Sequence, residues 1–242
     1  MLEGYAAVLL VGLVAGAVSG VIGTGSSVML LPVLVHAFGP KQAVPIMAVA
    51  AVVGNAARVL AWWRSVDWRA VCAYALPGAP AAMLGARTLW AMPAQAVDIA
   101  LGLFFVLVVP LRHWLQRRQW RLQLWQLAVA GAAIGYLTGV VLSTGPLSVP
   151  AFSAYGLVKG AFIGTEAASA LLLYVAKSLA FAQLGGLPWE VLSRGLIVGA
   201  ALMAGTFAGK AFVLRLPAGL FQRLLDALLL VSGLALLAAA WR

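Results

Sequence analysis

Two stretches of this chain, residues 4–35 and 122–158, carry no charged side chain. Each is longer than the roughly 20 residues that an α-helix needs to cross a bilayer. Each also holds a cluster of glycine, serine, threonine and proline near its middle. Such stretches cannot be kept in water, and neither can run as one straight span. The expectation for each is a helix, a break near Gly23–Ser27 or Leu142–Pro146, and a second, shorter helix. Irregular backbone at membrane depth survives only where protein buries it or where it lines a cavity.

The two stretches read as copies of each other. The first carries Gly12, Gly16, Ser19, Gly20, Gly23, Thr24, Gly25, Ser26 and Ser27, then Pro32 and, nine residues on, Lys41. The second carries Gly131, Gly135, Thr138, Gly139, Ser143, Thr144, Gly145 and Pro146, then Pro150 and, again nine residues on, Lys159. Later landmarks repeat too: Asp67-Trp68 resembles Pro188-Trp189, and Gly85 with Pro93 resembles Gly209 with Pro217. The remaining apolar segments are 42–63, 70–90, 96–112, 161–184, 190–212 and 219–240. The sequence therefore predicts an all-α, polytopic membrane helix bundle of about eight segments. These form two related four-segment halves, 1–111 and 122–242, each with its first segment broken, joined by a basic linker at 112–121.

Composition excludes the main alternatives. The chain is 64% hydrophobic and 9% charged, against about 25% charged in a soluble domain. Barrel strands alternate apolar and polar residues, whereas these tracts are continuously apolar. The net charge of +10 comes from basic residues scattered through loops and segment ends, which reads as topology signals rather than a nucleic-acid surface. The lone Cys72 excludes an internal disulfide and is expected to pack as a small apolar residue. Neither His36 nor His113 has a metal-ligand partner at helical spacing. The start, Met-Leu-Glu3-Gly, lacks the basic region of a signal peptide, so the first segment is expected to stay as a membrane helix. Arg112, Arg117, Arg118 and Arg121, ringed by Trp114, Trp120 and Trp125, place the linker in the cytoplasm. Four full spans per half would put both termini on that side and make the repeats parallel. Re-entrant broken segments would change the parity, and an odd number of crossings per half makes the repeats inverted.

Paired, interrupted apolar segments in matching positions of two halves point to a transporter's binding site. A broken helix exposes free N–H groups at a positive dipole end, which suits an anion. Gly23, Thr24, Gly25, Ser26 and Ser27, with Ser143, Thr144, Gly145 and Pro146, are the candidate substrate-binding breaks. The Gly12/Gly16/Gly20 and Gly131/Gly135/Gly139 series read instead as close helix packing. Charges within spans are costly and normally face a cavity or a partner. Arg58 follows Asn55 by three residues, on the same helix face. Glu166 and Lys177 share a face about 16 Å apart along the axis, too far for a direct bond. Arg58 and Lys177 are candidate sources of positive potential, Thr165 and Asn55 join the substrate-binding set, and Glu166 is the candidate proton-coupling group. The competing reading is snorkelling of both cations to an interface and a helix-end position for Glu166.

At these residues the chain resembles the sulfite exporter TauE/SafE family of bacterial membrane permeases over almost its whole length. The resemblance rests on Ser19-Gly20-Val-Ile-Gly23-Thr24-Gly25 with Pro32, on Gly145-Pro146-Leu-Ser-Val-Pro150, on Thr165-Glu166, and on Ala176-Lys177-Ser. It implies a multi-pass carrier in the bacterial inner membrane for small, often sulfur-containing anions: sulfite, or organic sulfonates and carboxylates. Family patterns usually have Gly-Gly at Ser26-Ser27 and a glycine-rich stretch at Leu142-Ser143-Thr144, so this chain departs from them inside the expected site. The sequence holds no nucleophile–base pair, phosphate loop, dinucleotide fingerprint or metal cluster. The reading is therefore a secondary transporter rather than an enzyme, with no cofactor, a small anionic substrate, the lipid bilayer as partner and a proton or ion as coupling partner. The alternative is a non-transporting membrane assembly or partner protein.

Overall fold

The computed structural model describes residues 2–22, 26–117, 121–141 and 145–212, with short helical pieces between 226 and 238. Among the described residues the chain is helical, without strands. Helix α1 covers Leu2–Ile22, α2 Ser26–Phe38, α3 Pro40–Trp62, α4 Trp68–Ala91, α5 Ala94–Arg117, α6 Leu124–Val140, α7 Gly145–Tyr155, α8 Lys159–Gln183 and α9 Trp189–Phe212, with a 3-10 turn at Trp63–Ser65 between α3 and α4. This is the expected membrane helix bundle. Three of these segments, Gln42–Ser65, Lys159–Gln183 and Trp189–Ala208, are long and apolar enough to cross a membrane. Leu10, Leu60, Leu76, Leu107, Val129 and Leu179 stand outward, as a lipid-facing surface requires. Exposed Trp63, Trp68 and Trp125 cluster at one end of the bundle and Trp189 at the other, as an interfacial aromatic belt predicts.

The helices interleave. Helix α1 packs on α9, α6 on α4, α3 on α9, α8 on α4, and α3 against α8. Glycines set these contacts. A Cβ at Gly16 would run into the backbone carbonyl of Leu202, one at Gly135 into that of Gly78, and one at Gly131 into that of Tyr74. Gly12 and Gly16 in the first series, and Gly131, Gly135 and Gly139 in the second, therefore form close-packing seams, as the sequence suggested. In both seams contacts advance in step: Gly12 lies by Val198 and Gly16 by Leu202, while Gly131 lies by Tyr74 and Gly135 by Gly78. Helix α1 thus runs parallel to α9, and α6 parallel to α4.

These directions fix the topology. The Leu122 N–H donates to the Ala154 carbonyl at 2.9 Å, which ties the end of α7 to the start of α6. Helices α6 and α7 therefore form a hairpin entering from the linker side and returning to it. Seventeen residues of α6 rise about 25 Å, less than the ~30 Å hydrocarbon thickness, so the tip lies inside the membrane. At that tip Val141 leaves the helix for extended backbone, which begins the second expected break; residues 142–144 lie outside the described residues. Helix α1 likewise ends at Ile22, and α2 restarts at Ser26; residues 23–25 also lie outside.

Helix α3 ends on the linker side, where Trp62 meets Gly160 and Gly164 of α8. On the opposite side Arg194 Nη1 donates to Gln42 Oε1 at 3.0 Å, and Trp90 packs by Gly186. Helices α1 and α2 accordingly begin and end on that opposite side. His113 Nε2 lies 3.5 Å from Asp226 Oδ2, and Gly233 lies against Gly102, so the last segment runs antiparallel to α5 and away from the linker. Helix α1 thus starts, and the described part of the last segment ends, towards the side opposite the linker. This corrects the placement that four uninterrupted spans per half would give. A hairpin adds no crossing, which is the change of parity expected of re-entrant broken segments.

Candidate functional site

The three ionisable residues singled out within spans are all buried: Arg58 at 6% exposure, Glu166 at 3% and Lys177 at 0%. That overturns snorkelling for the two cations and a surface position for Glu166. Each has a built environment.

Arg58 leaves α3 about one turn before its end and meets Glu166, two turns into α8. Its Nη1 donates to Glu166 Oε2 at 3.0 Å, and its Nη2 donates to Asn55 Oδ1. Asn55 is held in turn by its Nδ2 donating to the Ala51 carbonyl at 2.7 Å. The shared helix face of Asn55 and Arg58 thus becomes an orienting contact. The other carboxylate oxygen, Glu166 Oε1, accepts from Ser148 Oγ at 3.1 Å. Ser148 belongs to the first turn of α7, just past Gly145 and Pro146. The Glu166 carboxylate therefore sits between a guanidinium and the opening turn of a helix. Both favour negative charge.

Lys177 serves the other side of the break. Its Nζ donates to the Thr138 carbonyl at 2.5 Å and to the Val141 carbonyl at 3.0 Å. Those oxygens belong to the last turn of α6 and to the residue that ends it, where the helix leaves carbonyls without intrahelical partners. A cation there complements the helix dipole as well. The ammonium also stands 5.8 Å from the centre of the Phe181 ring. The broken helix is thus clamped on both sides by α8: its C-terminal end by Lys177, and its restart through Ser148 by Glu166.

Thr165 faces the α3–α4 turn, where its Oγ1 accepts from the Asp67 N–H at 2.9 Å. Asp67 itself caps α4 by accepting from the Arg69 and Ala70 N–H groups. Thr165 therefore fixes a turn beside the ion pair. Gly145 and Pro146 open α7 at the tip, and Ser26 and Ser27 open α2. Gly23, Thr24, Gly25, Ser143 and Thr144 lie outside the described residues. Arg58 and Lys177 do not converge on one point, because Glu166 holds Arg58 three helical turns from Lys177. Cys72 lies on α4 with its side chain exposed rather than packed inside.

Sequence reasoning missed three residues. Ser148 was visible inside the Gly145-Pro146-Leu-Ser motif but carried no distinguishing signal. Tyr74 of α4 and Ser169 of α8 are buried, and neither hydroxyl has a hydrogen-bond partner among the described residues. The Tyr74 ring packs on Phe152 of α7 at 4.8 Å between centroids, one helical turn from Ser148. Only tertiary packing brings α4 to this place.

The family model described as Sulfite exporter TauE/SafE matches residues 8–236. A relative from Bacillus subtilis (strain 168), described as "Probable membrane transporter protein YjnA", is 26% identical, with 95% of this chain and 98% of the relative covered. No solved structure matches this chain. With a family match across nearly the whole length, over a bundle whose broken helix is gripped by buried charges, the chain belongs to the sulfite exporter TauE/SafE family of membrane transporters.

Proposed function

We propose that this chain is a secondary transporter that moves a small anion, sulfite or an organic sulfonate or carboxylate, across the bacterial inner membrane with proton coupling at Glu166. The observation that carries the reading is the buried Arg58–Glu166 pair at the first turn of α7. A guanidinium beside a helix start is a ready anion site. A carboxylate in the same place excludes an anion until it is neutralised or moved. That opposition couples a proton to the anion: protonation of Glu166 frees Arg58, and the anion takes the vacated contacts. Arg58, Asn55, Gly145, Pro146 and the two breaks form the substrate-binding set. Lys177 holds the tip beside it, with two of its three donors committed to carbonyls.

Residues 1–111 and 122–242 act as inverted repeats. In support, exchanging the halves maps each major helix pair onto another: α1 with α9 onto α6 with α4, and α3 with α9 onto α8 with α4. Rocking of one repeat against the other would then open the site to alternate sides. The linker faces the cytoplasm. Arg64, Arg69, Arg121 and Lys159 all lie at that end of the bundle, and Lys210 is in the last turn of α9, which ends there. The grouping removes the conflict that a parallel arrangement would leave with Lys210 on the far side, and it fits the positive-inside rule.

Reconstituted proteoliposomes test the reading. Radiolabelled sulfite or sulfoacetate should enter them faster than protein-free liposomes, with saturation, and Arg58→Ala should abolish the difference. Equal leakage with and without protein, for every anion tried, would refute it.

A further inference from the structure

The Tyr74 hydroxyl poses a specific problem. It is 1% exposed, it has no hydrogen-bond partner among the described residues, and it belongs to a ring locked against Phe152 of α7. A buried hydroxyl without a partner is destabilising, and phenylalanine would fill the same space without it. Ser169 repeats the problem from α8. It lies one turn from Glu166 on the same helix face, is fully buried, and its Oγ likewise has no partner among the described residues. Two hydroxyls without partners among the described residues therefore lie about one turn from the ion pair, Ser169 along α8 from Glu166 and Tyr74 through Phe152 along α7 from Ser148, while the carboxylate already takes one bond from Arg58 and one from Ser148. Three elements contribute besides α8: α3 through Arg58, α4 through Tyr74, and α7 through Ser148.

We propose that Glu166 is a built-in stand-in for the transported anion, and that Tyr74 and Ser169 are further substrate ligands that engage when the anion replaces its carboxylate. This rests on the transport reading above and specifies its site. A carboxylate on α8 brings two oxygens and is held by its own side chain. A free sulfite or sulfonate brings three oxygens. Arg58 and the Ser148 hydroxyl serve two of them, and the Tyr74 and Ser169 hydroxyls are donors for the third. The ligand class is thus a tetrahedral or pyramidal oxyanion head, small enough to sit where a carboxylate sits, in preference to a planar carboxylate with two oxygens.

The test is anion binding to the purified full-length protein in detergent, read by calorimetry and by thermal shift, with sulfite, sulfoacetate and acetate as probes. Tyr74→Phe should leave the melting midpoint of the ligand-free protein unchanged or raised, because the lost hydroxyl has no partner among the described residues. It should weaken sulfite and sulfoacetate binding about tenfold, the worth of one hydrogen bond to a charged group, and leave acetate unaffected. Glu166→Gln should bind both sulfur oxyanions at least about tenfold more tightly than wild type, because the resident negative charge is gone. If Glu166→Gln does not fold, Tyr74→Phe and Ser169→Ala carry the test alone. Wild-type affinity in Tyr74→Phe and Ser169→Ala would overturn the proposal and leave the transport reading standing. So would Glu166→Gln binding no tighter than wild type. If neither wild type nor any variant binds any of the three anions, both the proposal and the transport reading fall.

Discussion

At the scale of single residues, the informative fact is what each buried charge touches. Lys177 looked like an anion attractor because it interrupts an apolar segment. Its ammonium is instead spent largely on the Thr138 and Val141 carbonyls, so its first duty is to end α6 inside the membrane. Lys177→Met keeps the apolar stem and removes the donors, leaving two carbonyls short of partners at about 1–3 kcal/mol each. A clear fall in melting midpoint is expected, with less folded protein extracted from membranes; an unchanged midpoint would show that the clamp is dispensable. Which residues were chemically special was legible in the sequence: Arg58, Glu166 and Lys177 stood out because charge in an apolar segment is expensive. Their partners were not legible. The steps from Arg58 to Glu166 and from Lys177 to Thr138 cross from one helix to another, and no periodicity within a segment encodes which helices will meet.

At the scale of elements, the glycine series are what let α6 lie on α4. Carbonyl oxygens of Tyr74, Gly78 and Ala82 occupy the space where side chains at Gly131, Gly135 and Gly139 would be. Without water to exclude between them, membrane helices associate through such close approach. Gly135→Leu should separate α4 from α6 and, with them, the Tyr74–Phe152 contact. The expected result is loss of folded protein in the membrane fraction, while Gly54→Ala, where a Cβ would meet only the Leu202 side chain, at 3.4 Å, costs far less. Equal amounts of both proteins would contradict the seam. This seam was readable in advance because a four-residue spacing places glycines on one helix face. The hairpin form of the broken segments was not, because the direction in which the chain leaves a break depends on what α7 packs against, and that is α5, α6 and α8.

At the scale of the whole molecule, one turn of the chain at each break decides the topology. In the inverted arrangement proposed above, the hairpins make each half cross an odd number of times, and the two halves enter from opposite sides. In a Cys72→Ala background, Arg121→Cys should react with a membrane-impermeant thiol reagent only from the cytoplasmic side. Ala91→Cys, exposed at the opposite end of the bundle, should react only from the periplasmic side. Labelling of both from one side would break the inverted arrangement. Composition alone made the bundle legible, and the internal likeness suggested two halves. Their relative orientation hinged on whether an apolar tract with a break crosses or returns, and both outcomes have the same hydropathy. The measurement that bears most directly on the account is sulfoacetate flux into proteoliposomes as a function of pH, for wild type and Glu166→Gln at equal protein density. Wild-type flux should be saturable and rise as pH falls, since protonating Glu166 releases Arg58 to the anion, while Glu166→Gln should carry the anion with little dependence on pH. Wild-type flux no greater than that of empty liposomes, or the same pH profile in both proteins, would contradict it.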